Sequence, residues 1–293
     1  ISHMEDIRTM LKNMPDMKDC KYTFRRIPSE PGFNTFQVID RATDEQVDTW
    51  TFDSNESVTS TVGEASAEIM LDYNKFKLRP EWWLGVRFYP DNLQDVIRYH
   101  DVLIVACMLS RFKDKGDDVG IRHGMRILDW LATTDFYTAP ASGRFHDAYE
   151  GGLISHTLNV YNQMCDVWKI QKFNNVLPQS FTLVALTHDW CKIGLYESYM
   201  RNVKDEKTGQ WNQVKSFRWR EDGPAFAFGH GVSSMFLVSR FVNLSGEEAA
   251  AIRWHMGHWN VASNEETDLQ TSNETYPLVL MIQFADALSI VRY

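Results

Sequence analysis

Residues 183–194 read LVALTHDWCKIG. Leu183, Val184, Ala185 and Leu186 predict a buried helix. That helix delivers His188 and Asp189 side by side, with Lys192 three residues further on. A charged pair at the end of a buried helix is costly unless something compensates it. A buried His–Asp hydrogen bond would do so, and so would a metal ion. The choice rests on what the rest of the chain brings to the same place.

Working outward, six of the nine histidines fall between residues 146 and 258. His156 sits in an amphipathic stretch, GGLISHTLNVYNQMCDVWKI. His188 and Asp189 close the next helix, and His230 opens GHGVSSMFLVSRFV. His255 and His258, three apart in SGEEAAAIRWHMGHW, are expected to share one helix face. Asp286 lies in the otherwise apolar MIQFADALSI. A single core histidine is ordinarily just a hydrogen-bonded core residue. An unpaired carboxylate in an apolar helix is costlier. Several helices each bringing an imidazole or carboxylate into a packed surface point jointly to a metal site. Imidazole and carboxylate together suit Mn, Fe, Ni, Co or Zn, and carboxylate alone would suit Mg.

The same pass sets the expected organisation. Residues 4–18 predict a short helix broken by Pro15. Between 21 and 90, KYTFRRI, NTFQVID, QVDTWTF and WWLGVRFYP read as strands separated by turn residues. GEASAEIMLDYNKF between them reads as a helix. From residue 91 the period becomes helical, beginning with DNLQDVIRYHDVLIVACMLSRFKDK and DVGIRHGMRILDWLATTDF. Ser245 and Glu248 form a capping box, and Pro277 fits the first turn of the last helix. The expected architecture is therefore mainly α, a helical bundle over 91–293 with a smaller mixed α/β region over 1–90. Residues 201–224 are polar and turn-rich, and predict a hairpin or a loop inserted between two core helices, a lid being one use.

Composition narrows the function. The 293 residues carry 44% hydrophobic content, 13% aromatic residues and a net charge of −9. That supports a large folded core and argues against a protein that coats long nucleic acid. A small anionic substrate stays compatible, because a bound metal reverses the local field. Four scattered cysteines without a CxxC pair predict no disulfide framework and a reducing, cytoplasmic setting. The apolar run VLIVACML at 102–109 is too short to span a bilayer, and no signal peptide is visible, so no membrane association is expected. The opening ISHM reads as a cloning remnant, so the native start is expected at Met4 and His3 is set aside.

The order His156, His188-Asp189, Asp286 resembles the HD superfamily of metal-dependent phosphohydrolases, over about residues 140–290. His230 and His255, with the HDWCKIG form, resemble its two-metal subset. RFHDAYEGGLISHTLNVY, the GHG at 229–231 and IRWHMGHW are similar to the HD-domain 3′→5′ exoribonucleases of bacteria. Those carry an N-terminal nucleic-acid-binding β-barrel, but residues 1–90 here show no basic, aromatic-interleaved stripe. The whole chain also resembles uncharacterised HD proteins of phage and prophage genomes.

The resemblance implies that His156, His188, Asp189 and Asp286 hold a first metal. Asp189 bridges to a second one, held by His230 and His255. The implied reaction is phosphomono- or phosphodiester hydrolysis of a nucleotide, cyclic nucleotide or short oligonucleotide by metal-activated water. Asp189 and Lys192 are then the expected catalytic pair, Lys192 meeting a phosphate oxygen. Arg144, His146, His258, Tyr196, Tyr199 and Arg201 are candidate substrate contacts. Gly151 and Gly152 predict a tight entry into the helix of His156. His100 and His123 are read as structural. Two other readings fit the same residues: a di-iron HD-type oxygenase that cleaves C–C or C–P bonds with the same ligand set, and a non-catalytic nucleotide binder.

Overall fold

The computed structural model describes residues 5–223, 228–259 and 261–291. His3 and the expected start at Met4 lie outside them.

After a first helix, α1 (Ile7–Asn13), the chain forms an antiparallel meander. Its strands are β1 (Tyr22–Ile27), β2 (Asn34–Asp40), β3 (Gln46–Phe52) and β4 (Val58–Ser60), paired in sequence order. Alternation puts Phe24, Phe36, Trp50 and Phe52 on one face. There they meet Tyr73 and Phe76 of α2 (Ala67–Phe76), which Ser66 caps through the Ile69 amide.

Residues 82–90, expected as a strand, form none. Pro80 starts a 3-10 turn over Pro80–Trp83, and Gly85 follows at φ 89°. Trp82, Trp83, Leu84 and Phe88 are buried instead, Trp83 packing on both Trp82 and Phe88. The fully enclosed Arg26 of β1 donates to the Trp82 and Leu84 carbonyls and lies over the Phe36 and Trp82 rings. These aromatics thus fasten the sheet to the helices that follow.

Those helices are α3 (Leu93–Arg111), α4 (Asp117–Ala132), α5 (Gly152–Val167) and α6 (Pro178–Thr187). VLIVACML is buried on every side in α3 because α4, α5 and α6 surround it. Gly120 and Gly124 let α4 close on α3; a Cβ at Gly120 would stand 2.7 Å from the Leu109 Cα. A two-stranded ribbon follows, β5 (Tyr196–Lys204) and β6 (Trp211–Trp219). The chain ends in α7 (His230–Ser239), α8 (Gly246–Arg253), α9 (Glu266–Thr275) and α10 (Pro277–Leu288). The Ser245–Glu248 capping box forms, and Arg111 at the end of α3 grips Glu248 bidentately at 2.6 and 2.7 Å.

The expectation of a mainly helical HD bundle is corrected. Among the described residues helices make up 48%, and two antiparallel sheets accompany ten α-helices, a mixed α+β architecture. Two features account for the difference. The N-terminal meander packs into one continuous apolar core with the helices. The second sheet interrupts the helical succession where a polar segment showed no one-sided apolar period. Among the described residues no helix is long and apolar enough to cross a membrane.

Candidate metal centre

The segment LVALTHDWCKIG behaves as a helix with a hooked end. α6 is buried to Thr187, and His188 forms its C-cap. Asp189 leaves the helical path at φ −105°, ψ 18°, and a 3-10 turn over Trp190–Lys192 swings the lysine back. The hook is held from outside. Ser234 Oγ of α7 accepts from the Cys191 amide at 2.9 Å, and an Asp135 carboxylate oxygen accepts from the Gly194 amide at 2.8 Å. Lys192 Nζ then stands 3.2 Å from Asp189 Oδ2.

Asp189, 3% exposed, is the hub. His156 Nε2 of α5 lies 3.1 Å from its Oδ2, and His188 Nε2 lies 3.4 Å from the same oxygen. His255 Nε2, just past α8, lies 3.3 Å from Oδ1. Asp286 of α10 approaches His156 Nε2 at 3.1 Å and His188 Nε2 at 3.9 Å.

These distances fit an ion. Two ligands each ~2.1 Å from one metal, at angles near 90–110°, stand about 3.0–3.4 Å apart. Tautomers support the same conclusion. His188 Nδ1 faces the Ala185 carbonyl at 2.7 Å, and His255 Nδ1 faces the Ile252 carbonyl at 2.8 Å. A carbonyl only accepts, so both Nδ1 atoms carry protons and both Nε2 atoms are turned to the carboxylate. His188 Nε2 is buried and makes no hydrogen bond. A cation between that nitrogen and the Asp189 carboxylate would satisfy both. His156, His188 and Asp189 offer ligand atoms all within 4.8 Å of one another, and this buried cluster can hold a metal ion.

The electrostatics follow. Burial alone would lower the His156 pKa, but hydrogen bonds to Asp189 and Asp286 push it up to about 10. Burial would likewise raise the Asp189 carboxyl; His188, Lys192 and His156 hold it well below the usual carboxylate range. Lys192 is raised, its burial overcome by Asp189. In the metal-free protein, protons do the work of the cation.

The paired glycines are explained by close approaches. Gly151 is the left-handed N-cap of α5, at φ 83°. A Cβ on Gly152 would lie 1.9 Å from the Asp147 carbonyl oxygen. In GHG, a Cβ on Gly231 would lie 1.9 Å from the Arg253 carbonyl oxygen, so the start of α7 rests on the end of α8. That contact sets His230 in the field of Asp189, Lys192 and His255; burial lowers its pKa first of all.

The remaining candidates are distributed less tightly. Tyr196, at the foot of β5, lies in the field of Lys192, although burial is the larger influence and raises its phenol. Tyr199 is half-buried under the Arg218 guanidinium. Arg144, His146, Arg201 and His258 are exposed and enter none of the cluster's ion pairs. His258 does not share a helix face with His255. α8 stops at Arg253, and Gly257 at φ 61° turns the chain away.

Asp147 escaped the sequence reading although it lies within RFHDAYEGG. Its Oδ2 is 3.9 Å from His156 Nδ1, and it holds a left-handed φ of 53°. Ser234 and Asp135, which hold the hook, carried no sequence signal of their own.

Comparison with family models, with curated proteins and with solved structures gives no match.

Proposed function

We propose that this chain is a divalent-metal-dependent phosphohydrolase whose centre is of the HD type, acting on a nucleotide, a cyclic nucleotide or a short oligonucleotide. The observation that carries the reading is the pair of carbonyl-tethered imidazoles aimed at Asp189, with Lys192 on the same carboxylate oxygen as His156 and His188. In this reading His156, His188, Asp189 and Asp286 hold one ion. Asp189, His255 and His230 would hold a second. The donor set suits Mn, Fe, Ni, Co or Zn, with Mg at the second position. When bound, such ions polarise a phosphoryl oxygen and lower the pKa of water.

The side chains do the rest. The backbone carbonyls fix the ring orientations of His188 and His255 before any ligand arrives. Lys192 balances Asp189 in the free protein and is close enough to turn to a phosphate oxygen as charge develops there. Asp147 faces the outer nitrogen of His156. Tyr196 stands in the field of Lys192.

The test is a chromatographic screen of nucleoside mono- and triphosphates, cyclic mono- and dinucleotides and short RNA and DNA with Mn²⁺. Asp189→Ala runs beside the wild type. Turnover in the wild type that falls at least ~1,000-fold in the variant is expected. A metal-loaded wild type that hydrolyses none of these esters would sink the proposal. Iron content with O₂-dependent turnover would then decide for an oxygenase.

A further inference from the structure

One cleft beside the cluster meets the candidate centre at a single residue. It lies between the start of α7 and the chain leaving α8, encloses about 220 Å³, and shares His230 with the candidate centre. Trp254, Met256, Trp259 and Phe228 supply its apolar walls. His255 sits between Trp254 and Met256 in the chain, so cleft and metal centre share one short segment. The Trp259 and Phe228 side chains bound the cleft while being 71% and 53% exposed. Single exposed apolar residues are ordinary. Two rings bordering a cleft that reaches a candidate metal ligand form a concave site of mixed character, aromatic walls beside His230, Arg253 and Glu265.

The cleft has a polar edge as well. The Arg253 guanidinium lies 3.9 Å from the centroid of the Trp254 ring, and its Nη2 meets Glu265 Oε2 at 2.6 Å. Both residues line the cleft. The pair sets a carboxylate acceptor and a guanidinium donor side by side.

We infer that this cleft is a recognition slot for one flat heteroaromatic base, the base of a nucleotide whose phosphate lies at the His–Asp cluster. The inference rests on the phosphohydrolase reading and names the part of the substrate that reading leaves open. Size supports it: the cleft is smaller than the ~300–1,000 Å³ of sites that enclose drug-sized ligands, so it takes one ring system and not a chain of them. Chemistry supports it too. Aromatic walls reward a π-face, which every base has. The Arg253–Glu265 edge offers the donor and acceptor that a base edge needs, and an aliphatic ligand would leave that edge unused. Trp259 is then the principal stacking residue, and Glu265 the residue that discriminates among bases.

The probes are adenosine, guanosine, cytidine, uridine and ribose, titrated into the full chain with Mn²⁺ and followed by tryptophan fluorescence. Trp259→Leu and Glu265→Gln are measured alongside, and circular dichroism confirms that both remain folded. At least one nucleoside is expected to bind saturably where ribose does not. Trp259→Leu should weaken it at least tenfold, and Glu265→Gln should change the order of preference among the four. A second readout is the ratio of kcat/KM for a nucleoside monophosphate to that for ribose 5-phosphate, which should fall at least tenfold in Trp259→Leu.

Nucleotide turnover without nucleoside binding, or binding indifferent to Trp259, overturns the slot and leaves the phosphohydrolase reading standing. Trp259-dependent nucleoside binding without turnover of any phosphate ester does the reverse. Neither binding nor turnover removes both.

Discussion

His188 and His255 each turn Nδ1 to the carbonyl three residues back and aim Nε2 at Asp189, whereas among the described residues no such tether holds His230 or His258. The tethered pair is buried among α5, α6 and α10 and keeps its aim without a ligand. His230 depends on a helix-to-helix contact for its position, and His258 has been turned outward by a glycine. Preorganisation is thus graded across the cluster. The centre around Asp189 is built into the core, and its second half is assembled at the rim.

The largest break of that comparison is His188→Ala. It should lower metal affinity in calorimetric titration by more than the ~10–100-fold that loss of an outer hydrogen-bond partner costs. His230→Ala should cost about tenfold at most, confined to a second equivalent of metal, and His258→Ala should change affinity less than ~2-fold. Equal losses in His188→Ala and His258→Ala would end the distinction.

Gly231→Ala tests what holds the rim. A Cβ 1.9 Å from the Arg253 carbonyl oxygen forces backbone to move. The expected loss in denaturant melts is about 3 kcal/mol or more. Gly246→Ala is the control. Its Cβ would find only the Tyr276 hydroxyl at 3.5 Å, at the first position of α8, so a change within about 1 kcal/mol is expected.

A smaller effect separates proton from metal. His156 is raised from 6.5 to about 10 in the folded, metal-free protein. A raised folded pKa stabilises fully below the unfolded value and fades as pH climbs through the folded one. The metal-free protein should therefore lose stability between about pH 6.5 and 10, by a few kcal/mol at most. Mn²⁺ should flatten that slope, because the ion replaces the proton. A metal-free protein whose melting temperature is level across this range would contradict the His156–Asp189–Asp286 arrangement.

Much of this grading was legible and some was not, for physical reasons. The apolar run 183–186 ending in His-Asp announces a buried polar pair because a core helix has no other reason to carry one. The tethers were invisible, since any histidine can meet the carbonyl three residues back. The three-residue spacing of His255 and His258 was read as helical because the sequence does not show where Gly257 turns left-handed. Residues 82–90 imitate a strand because their aromatics are rich in β propensity, yet Trp83 packs on both Trp82 and Phe88 while Tyr89 stays exposed, a pattern with no strand alternation. The β5–β6 ribbon leaves both faces largely in solvent, so no apolar alternation marks it. α9 was missed for a related reason: of its residues only Leu269 is buried.

The ribbon has one further consequence. It enters the chain between Lys192 and His230, and at its base the Arg220 amide donates to the Leu195 carbonyl at 2.9 Å, the ladder running on from Tyr196 opposite Trp219. Everything beyond that bond is topologically a side branch. Its tip, where Gly209 turns at φ 71°, is a natural port. A reporter peptide spliced there, or a ribbon cut back to a short turn, would leave the distance between the lysine and the histidine to be set by the core alone.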